Sequence, residues 1–205
     1  QSRPLNIVEA YDAATDSWST KTSMPTARGT LAVSVVDGIL YAVGGTRRFN
    51  AMNIVEAYDP STDIWTVKTS MPKARKELAS TVLGHNLYAV GGANSGARNT
   101  VQVYNPATDT WTDTATMPTA RFGLSASGLD GVLYAIGGCA VFCNYMLPSL
   151  NTVEAYSPLT NTWHTKAPMP TARSWLASGV VNGILYAVGG FESSPAATVE
   201  AYSPR

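Results

Sequence analysis

Two glycines recur along this chain at a nearly fixed interval, and that interval limits the fold more than any other feature. Gly44-Gly45, Gly91-Gly92, Gly137-Gly138 and Gly189-Gly190 step by 47, 46 and 52 residues, and Trp18, Trp65, Trp111 and Trp163 step identically. Six residues after each Trp stands a Met-Pro pair (Met24, Met71, Met117, Met169), and ten after it an arginine (Arg28, Arg75, Arg121, Arg173). Each arginine precedes by 13 the tyrosine that opens a Tyr-Ala-Val/Ile-Gly-Gly run (Tyr41, Tyr88, Tyr134, Tyr186). A second tyrosine (Tyr11, Tyr58, Tyr104, Tyr156) lies seven before every Trp. Self-similarity at such a period is the mark of a repeat architecture.

All variation in repeat length falls between the second glycine and the next tyrosine, an interval of 13, 12, 18 and 12 residues. A segment that varies while its surroundings stay in register behaves as a surface loop on a packed scaffold. Within a unit the apolar period is two: Leu31, Val33 and Val35 alternate with Ala32, Ser34 and Val36, and Ile39 to Val43 resumes after Asp37-Gly38. That pattern is a β-hairpin, and Asp37-Gly38, Asp130-Gly131 and Asn182-Gly183 suit type I′ turns, whereas Gly84-His85 suits type II′. A third strand over residues 53–58 ends in a turn cluster at 59–63. A fourth begins near Trp65 and stops before Met71-Pro72, where proline lacks the donor a ladder needs. Four-stranded antiparallel units repeated radially make a β-propeller.

Together the diglycine after an apolar strand, the spaced tyrosine and the tryptophan resemble the Kelch repeat, in all four units and across nearly the whole chain. The fold class expected is therefore all-β: a Kelch-type propeller of four repeats of four-stranded blades. The domain expected is single, over 1–205, with units at about 28–74, 75–120 and 121–172 and a fourth blade made from 173–205 plus 1–27. The glycines are expected to admit the aromatic pair of each unit against bare backbone. A buried Trp covers about 150–250 Å², worth roughly 4–6 kcal/mol at about 25 cal/mol per Å² before entropy is subtracted.

The chain opens with a third and fourth strand, continues through three full units and ends on a third strand, 17 in all where a closed four-bladed ring needs 16. Kelch rings commonly close by mixing N- and C-terminal strands in one blade, and the same closure is expected here. Asn6 to Tyr11 and Thr198 to Tyr202 are near copies competing for one slot. Kelch propellers more often have five to seven blades, so a piece of a larger ring or assembly stands as the alternative. The surplus strand offers a route to self-association.

Fourteen Lys+Arg balance 14 Asp+Glu, only 14% of the chain, so no electrostatic footprint points to nucleic acid or an anionic membrane. No apolar run reaches the roughly 18 residues that span a bilayer, and Gln1-Ser2-Arg3-Pro4 has no apolar stretch like that of a signal peptide. A soluble chain, trimmed or processed at its N-terminus, is expected. His85 sits in a tight turn and His164 on an outer strand, neither with a ligand at metal-binding spacing, so no metal or other cofactor is expected.

Arginines at one fixed place in every unit argue for scaffold duty, bridging blades or binding carbonyls, with Glu9, Glu56, Glu154 and Glu200 as partners and Gln102 in the third copy. A ring of arginines facing an anionic ligand is the alternative. The residues that do not repeat carry more information about a ligand. In Kelch proteins that bind partners, the loops after the diglycine and after the arginine commonly share one face. The resemblance thus implies a face built from Thr30, Glu77, Gly123 and Trp175, two residues beyond each arginine. The diglycine loops add Arg47, Arg48, Asn94, Arg98, Phe142, Tyr145, Met146, Phe191 and Glu192.

The longest loop, Cys139 to Leu150, is unusually apolar; either it packs over the disc or it presents an interaction patch. A Cys139–Cys143 bridge requires that loop to turn back on itself, because extended chain would separate the two Cα atoms by about 13 Å. Such a bridge favours a secreted or extracellular setting, and reduced thiols leave the setting open.

The function expected is a non-catalytic binding module for a protein, peptide or glycan. Some Kelch-like propellers, a copper oxidase and a sugar mutarotase among them, are enzymes, which keeps a site at the channel or top face as the rival. A structural repeat whose assembly is its function is the third reading. No nucleophile-base pair, phosphate loop or paired carboxylates stand at recognisable spacing in this chain.

Overall fold

The computed structural model describes residues 3–140, 149–192 and 197–204. Among them every regular element is a strand. The chain opens with β1 (Val8–Asp12) and β2 (Ser17–Lys21), then β3 (Ala32–Val36), β4 (Ile39–Val43), and a miniature hairpin, β5 (Thr46–Arg47) with β6 (Asn50–Ala51). β7 (Val55–Asp59) and β8 (Ile64–Lys68) complete that blade, and β9 (Ala79–Leu83), β10 (Asn86–Val90), β11 (Val101–Asn105) and β12 (Thr110–Asp113) make the next. Then follow β13 (Ser125–Leu129), β14 (Val132–Ile136), β15 (Val153–Ser157), β16 (Thr162–Lys166), β17 (Ala177–Val181), β18 (Ile184–Val188) and β19 (Val199–Tyr202).

The sheets are antiparallel meanders in the orders β3-β4-β7-β8, β9-β10-β11-β12 and β13-β14-β15-β16, with a three-stranded β17-β18-β19 and a separate two-stranded β1-β2. The all-β Kelch-type propeller architecture is thus present. The turns follow the sequence reading: both residues of Asp37-Gly38, Asp130-Gly131 and Asn182-Gly183 have positive φ, whereas in Gly84-His85 only the glycine does.

Among the described residues three large apolar clusters at the blade junctions form the core, and a small fourth joins Ala93, Phe122 and Cys139. Between the first two complete blades, Tyr41, Val43, Val55 and Ala57 from one sheet meet Leu78, Leu87, Ala89 and Tyr104 from the next. The same pattern recurs with Tyr88, Val90 and Val101 against Leu133, Ala135 and Tyr156, and with Tyr134, Ile136 and Val153 against Leu185 and Ala187. Rings meet across each junction, as Tyr41–Tyr104, Tyr88–Tyr156 and Tyr134–Tyr202, at 5.7, 6.2 and 6.1 Å. The inner strands add Ser34–Ser80 and Ser127–Ser178 hydroxyl contacts at 2.7 and 2.8 Å.

The structure corrects two expectations. The diglycines do not receive the aromatic pair. Gly44 has φ +61°, and a Cβ on it would lie 2.5 Å from the Arg75 carbonyl and 2.9 Å from Met71 Cε. On Gly45, at φ +103°, it would meet the Gly29 carbonyl at 2.7 Å. Bare backbone is needed there for a left-handed turn beneath the following blade's backbone. The tryptophans stack instead on the tyrosine opposite them in their own sheet, as Tyr58–Trp65 at 5.2 Å. Trp65, Trp111 and Trp163 are half-buried and Trp18 is 70% exposed, so the full burial energy expected of four tryptophans is not realised.

The termini also do not share a sheet. β19 takes the place beside β18, with Ala187 opposite Glu200 and Tyr186 opposite Ala201, and β1 pairs only with β2. Among the described residues no strand pairing joins the two parts, 173–205 and 1–27, of the expected fourth blade. The two strands differ in surroundings at their second residue: Glu200 pairs with the buried Arg173 at 2.7 Å, whereas Glu9 stays exposed without an ion-pair partner among the described residues. Among the described residues no sheet joins β1-β2 to β17-β18-β19. Val33 and Val35 on β3 are 51% and 56% exposed, and Val181, Val188 and Val199 at the other end 58%, 44% and 62%. The repeat equivalents of Val188, which are Val43 and Val90, and of Val199, which are Val55 and Val101, are fully buried inside junctions.

Candidate binding face at the propeller axis

The site begins with the arginines. Each lies in the connection that follows the last strand of one blade and drives its guanidinium into the next. Arg121 donates to the carbonyls of Ala135, Gly137 and Thr152 at 3.3, 3.2 and 2.9 Å and to Glu154 Oε2 at 2.6 Å. Arg28 pairs with Glu56 at 3.0 Å and donates to the Ala42 carbonyl. Arg173 pairs with Glu200 and donates to the carbonyls of Gly189 and Thr198. The guanidiniums are fully buried, which assigns them to blade bridging rather than to a ring facing a ligand.

The second complete blade differs in its polar partner. Arg75 donates to the carbonyls of Ala89, Gly91 and Thr100 and to Gln102 Oε1 at 2.8 Å, and Gln102 Nε2 donates in turn to Asp113 Oδ1 at 2.8 Å. The carboxylate has moved one strand outward, with an amide as relay. Burial pulls the Arg75 guanidinium down to about 10, the Asp113 charge opposing that shift and Arg98 adding to it.

These clamps fix the chain just beyond each arginine. The next residue bridges to the first after a diglycine, as Gly29 to Thr46, Lys76 to Ala93, Phe122 to Cys139 and Ser174 to Phe191, which places both loop sets on one face. The residue after that is left-handed in all four units: Thr30 at φ 49°, Glu77 at 54°, Gly123 at 58° and Trp175 at 49°. Their backbones form a ladder around the axis. Glu77 N–H donates to the Thr30 carbonyl at 3.0 Å, Gly123 N–H to Glu77 at 2.9 Å, and Trp175 N–H to Gly123 at 2.6 Å. No bond closes it from Thr30 N–H to the Trp175 carbonyl among the described residues.

The ladder makes the four non-repeating positions immediate neighbours and explains one difference between them. A Cβ on Gly123 would stand 3.1 Å from Trp175 Nε1, so the indole lies over Gly123. Trp175 meets the buried Phe122 edge-on at 6.2 Å and remains 50% exposed. Thr30 is exposed and Glu77 half-buried.

In the diglycine loops Arg47 and Arg48 are exposed on the miniature hairpin, and Phe49, at φ 76°, is 79% exposed. Sequence reading passed over Phe49; its signal was a bulky apolar residue following two arginines at a turn. It also passed over Phe122, which carries Trp175. Arg98 Nη2 donates to the Asn94 carbonyl at 3.1 Å, so these two hold their own loop together. Phe191 is half-buried and exchanges backbone bonds with Ser174, while Ser149 Oγ donates to its carbonyl; Glu192 is exposed. Phe142, Tyr145 and Met146 lie outside the described residues. Cys139 is fully buried and disulfide-bonded. Cys143, the chain's other cysteine, lies outside the described residues.

No group of three or more His, Cys, Asp or Glu side chains able to hold a metal ion occurs among the described residues. His85 Nδ1 lies 2.8 Å from Asp37 Oδ1, an exposed contact between the hairpin turns of neighbouring blades. Among the described residues no helix is long and apolar enough to cross a membrane.

The KLHDC2/KLHL20/DRC7 Kelch-repeats domain model matches residues 1–138, and the Kelch motif matches 120–170 and 172–205. This chain belongs to the Kelch-repeat family. Its Kelch blades superpose on the solved structure of YjhT with a TM-score of 0.77, covering 92% of this chain and 73% of that one; at 17% identity the likeness concerns the fold. Kelch-like ECH-associated protein 1B of Danio rerio is 37% identical over 65 residues, and protein 1A of the same fish 42% identical over 43. Those segments are 29% and 21% of this chain, and they span 11% and 7% of the two proteins' lengths.

Proposed function

We propose that this Kelch chain is a non-catalytic binding module whose axial face takes a protein or peptide partner. One observation carries the reading: two exposed aromatics, Phe49 and Trp175, project with Arg47 and Arg48 from backbone clamped by buried arginines. Trp and Arg are the residue types that most often dominate protein interfaces, and a rigid platform loses little freedom on binding. Two relatives named as ECH-associated proteins agree in kind. The disulfide at Cys139 supports an oxidising, extracellular setting.

A displayed library of random peptides, selected on the immobilised chain, tests the reading. Selected peptides should lose about tenfold or more in affinity to Trp175→Ala and to a Phe49→Ala/Arg47→Ala variant, with melting temperature nearly unchanged. Failure to select any peptide, or binding indifferent to both variants, overturns it. Copper retained through purification, or turnover of a sugar panel, would favour the enzymatic reading instead.

A further inference from the structure

Four of the five tryptophans belong to the repeat, and Trp175 does not. The repeat indoles serve the blade junctions: Nε1 of Trp65, Trp111 and Trp163 donates to the carbonyls of Thr22, Thr69 and Ala115, each at 2.9 Å. Two residues before these tryptophans, Asp63, Asp109 and Asn161 accept the N–H groups of the same three residues, also at 2.9 Å. Trp175 Nε1 has no acceptor among the described residues. A Cβ on Gly123 would meet Trp175 Nε1, Cε2 and Cδ1 at 3.1, 3.2 and 3.3 Å, adjacent ring atoms at nearly equal distances, so the indole lays one face on Gly123. With that face covered and the ring edge-on to Phe122, the exposed half of Trp175 includes its other face.

The rung on the other side of Gly123 carries Glu77, whose carbonyl accepts Gly123 N–H at 2.9 Å. Among the described residues Glu77 is the only carboxylate that is neither exposed nor held by a hydrogen bond or an ion pair. The other shielded ones are engaged: Glu56, Glu154 and Glu200 with arginines, Asp59 with Ser61 and Asp109 with Tyr104. A charge partly withdrawn from water without a partner costs free energy, so an opposite charge gains more beside it than on open surface. Adjacent hydrogen-bonded rungs of extended backbone stand about 5 Å apart, which puts Glu77 and Trp175 about 10 Å from each other across a residue with no side chain.

We infer that Glu77, Gly123 and Trp175 form a seat for an arginine side chain of the partner, an inference that rests on the axial-face reading above and names what that face holds at its centre. A guanidinium is planar, stacks on an open indole face and presents paired donors to a carboxylate. Gly123 leaves it room to lie between the two. The unused Trp175 N–H then serves an acceptor on the partner, such as a main-chain carbonyl beside the arginine. Lysine is a point charge that pairs with Glu77 but does not match the indole plane. Arg47 and Arg48 adjoin Thr30 through the bridge between Gly29 and Thr46, on the far side of Glu77 from Trp175, so the chain's own exposed arginines stand outside the seat.

The probe is the blocked tripeptide acetyl-Gly-Arg-Gly-amide, titrated into the full nitrogen-15-labelled chain and followed at the Trp175 indole N–H, whose resonance Trp175→Phe identifies. Saturable shifts of that signal and of the Glu77 and Gly123 amides are expected at millimolar peptide. Citrulline, the neutral isostere of arginine, should bind about fivefold more weakly or worse, and so should the arginine peptide to Glu77→Gln, with the melting curve in place. Equal binding of the citrulline peptide, indifference to Glu77→Gln, or no shift at all would overturn the proposal. So would a panel of sugars that moves the Trp175 signal when the arginine peptide does not, since the seat would then take a glycan. Peptides from the displayed library that need Trp175 but ignore Glu77→Gln would overturn the arginine seat alone and leave the axial-face reading standing.

Discussion

Arg121 offers the sharpest test of how the blades are joined. Changing Arg121→Met keeps an unbranched chain in the same channel but removes the guanidinium bonds to the carbonyls of Ala135, Gly137 and Thr152, of which Thr152 keeps its bond from Gly137 N–H. It also strands Glu154, a buried carboxylate whose other side-chain partner is the Thr119 hydroxyl at 2.7 Å. Removing one member of a buried ion pair costs about 3–5 kcal/mol, because the survivor stays buried and uncompensated. For a chain of this size each kcal/mol moves the melting temperature by about 2–4 °C, so a fall of roughly 6–20 °C is expected. Differential scanning calorimetry on both proteins measures it. The double change Arg121→Met/Glu154→Gln removes the stranded charge and should recover about half of the loss. Arg75→Met should cost less, about 1–3 kcal/mol, because its direct partner Gln102 is neutral and the change also removes a buried cation. A melting temperature for Arg121→Met within about 2 °C of the parent, or an Arg75→Met loss larger than that of Arg121→Met, would refute the reasoning.

Gly91→Ala should be severe, at least about 3 kcal/mol and with poor folding yield, because its Cβ would stand 2.5 Å from the Arg121 carbonyl at φ +59°; urea unfolding checks it, and a loss under 1 kcal/mol would contradict the packing. Trp18→Ala should leave stability within about 0.5 kcal/mol, whereas Trp111→Ala, which removes a half-buried ring and its bond to Thr69, should cost about 2 kcal/mol by the same assay. On the acid side, the Thr22 N–H and Tyr58 hydroxyl hold Asp63 below the usual aspartate range, and the Tyr104 hydroxyl and Thr69 N–H do the same for Asp109. Carboxyls depressed in the folded chain give stability that is present above their ordinary pKa and lost as pH falls through the folded one, here below about pH 4. Asp63→Asn/Asp109→Asn, copying the neutral Asn161 junction, should move the acid unfolding midpoint to lower pH when followed by tryptophan fluorescence; an unmoved midpoint would contradict this account.

Period and hairpin turns were legible in the sequence because each depends on local chemistry, whereas the shared loop face was implied only by the resemblance to Kelch repeats. Asp-Gly and Asn-Gly specify their turns within two residues. What fills the space beside the diglycines was not legible. Met71 and the Arg75 carbonyl come from the far end of the unit, and proximity across a junction has no signature in spacing. The contest between β1 and β19 was visible, but its outcome was not, since Asn6 to Tyr11 and Thr198 to Tyr202 are near copies. Only the three-dimensional position of Arg173 distinguishes Glu200 from Glu9. In the axial ladder the left-handed backbone at Thr30, Glu77 and Trp175 gave no residue-type signal, because none of the three is a residue that usually adopts it. Gly123 is legible afterwards as the space that the Trp175 indole requires.

The central claim is that clamped Kelch blades run in series and end with β19, not β1, beside β18. Cross-strand nuclear Overhauser contacts report it directly. The account predicts contacts linking Tyr186 with Ala201 and Ala187 with Glu200. Contacts linking β18 with Glu9 or Ala10 would contradict it, and would mean that the chain closes on its own N-terminus.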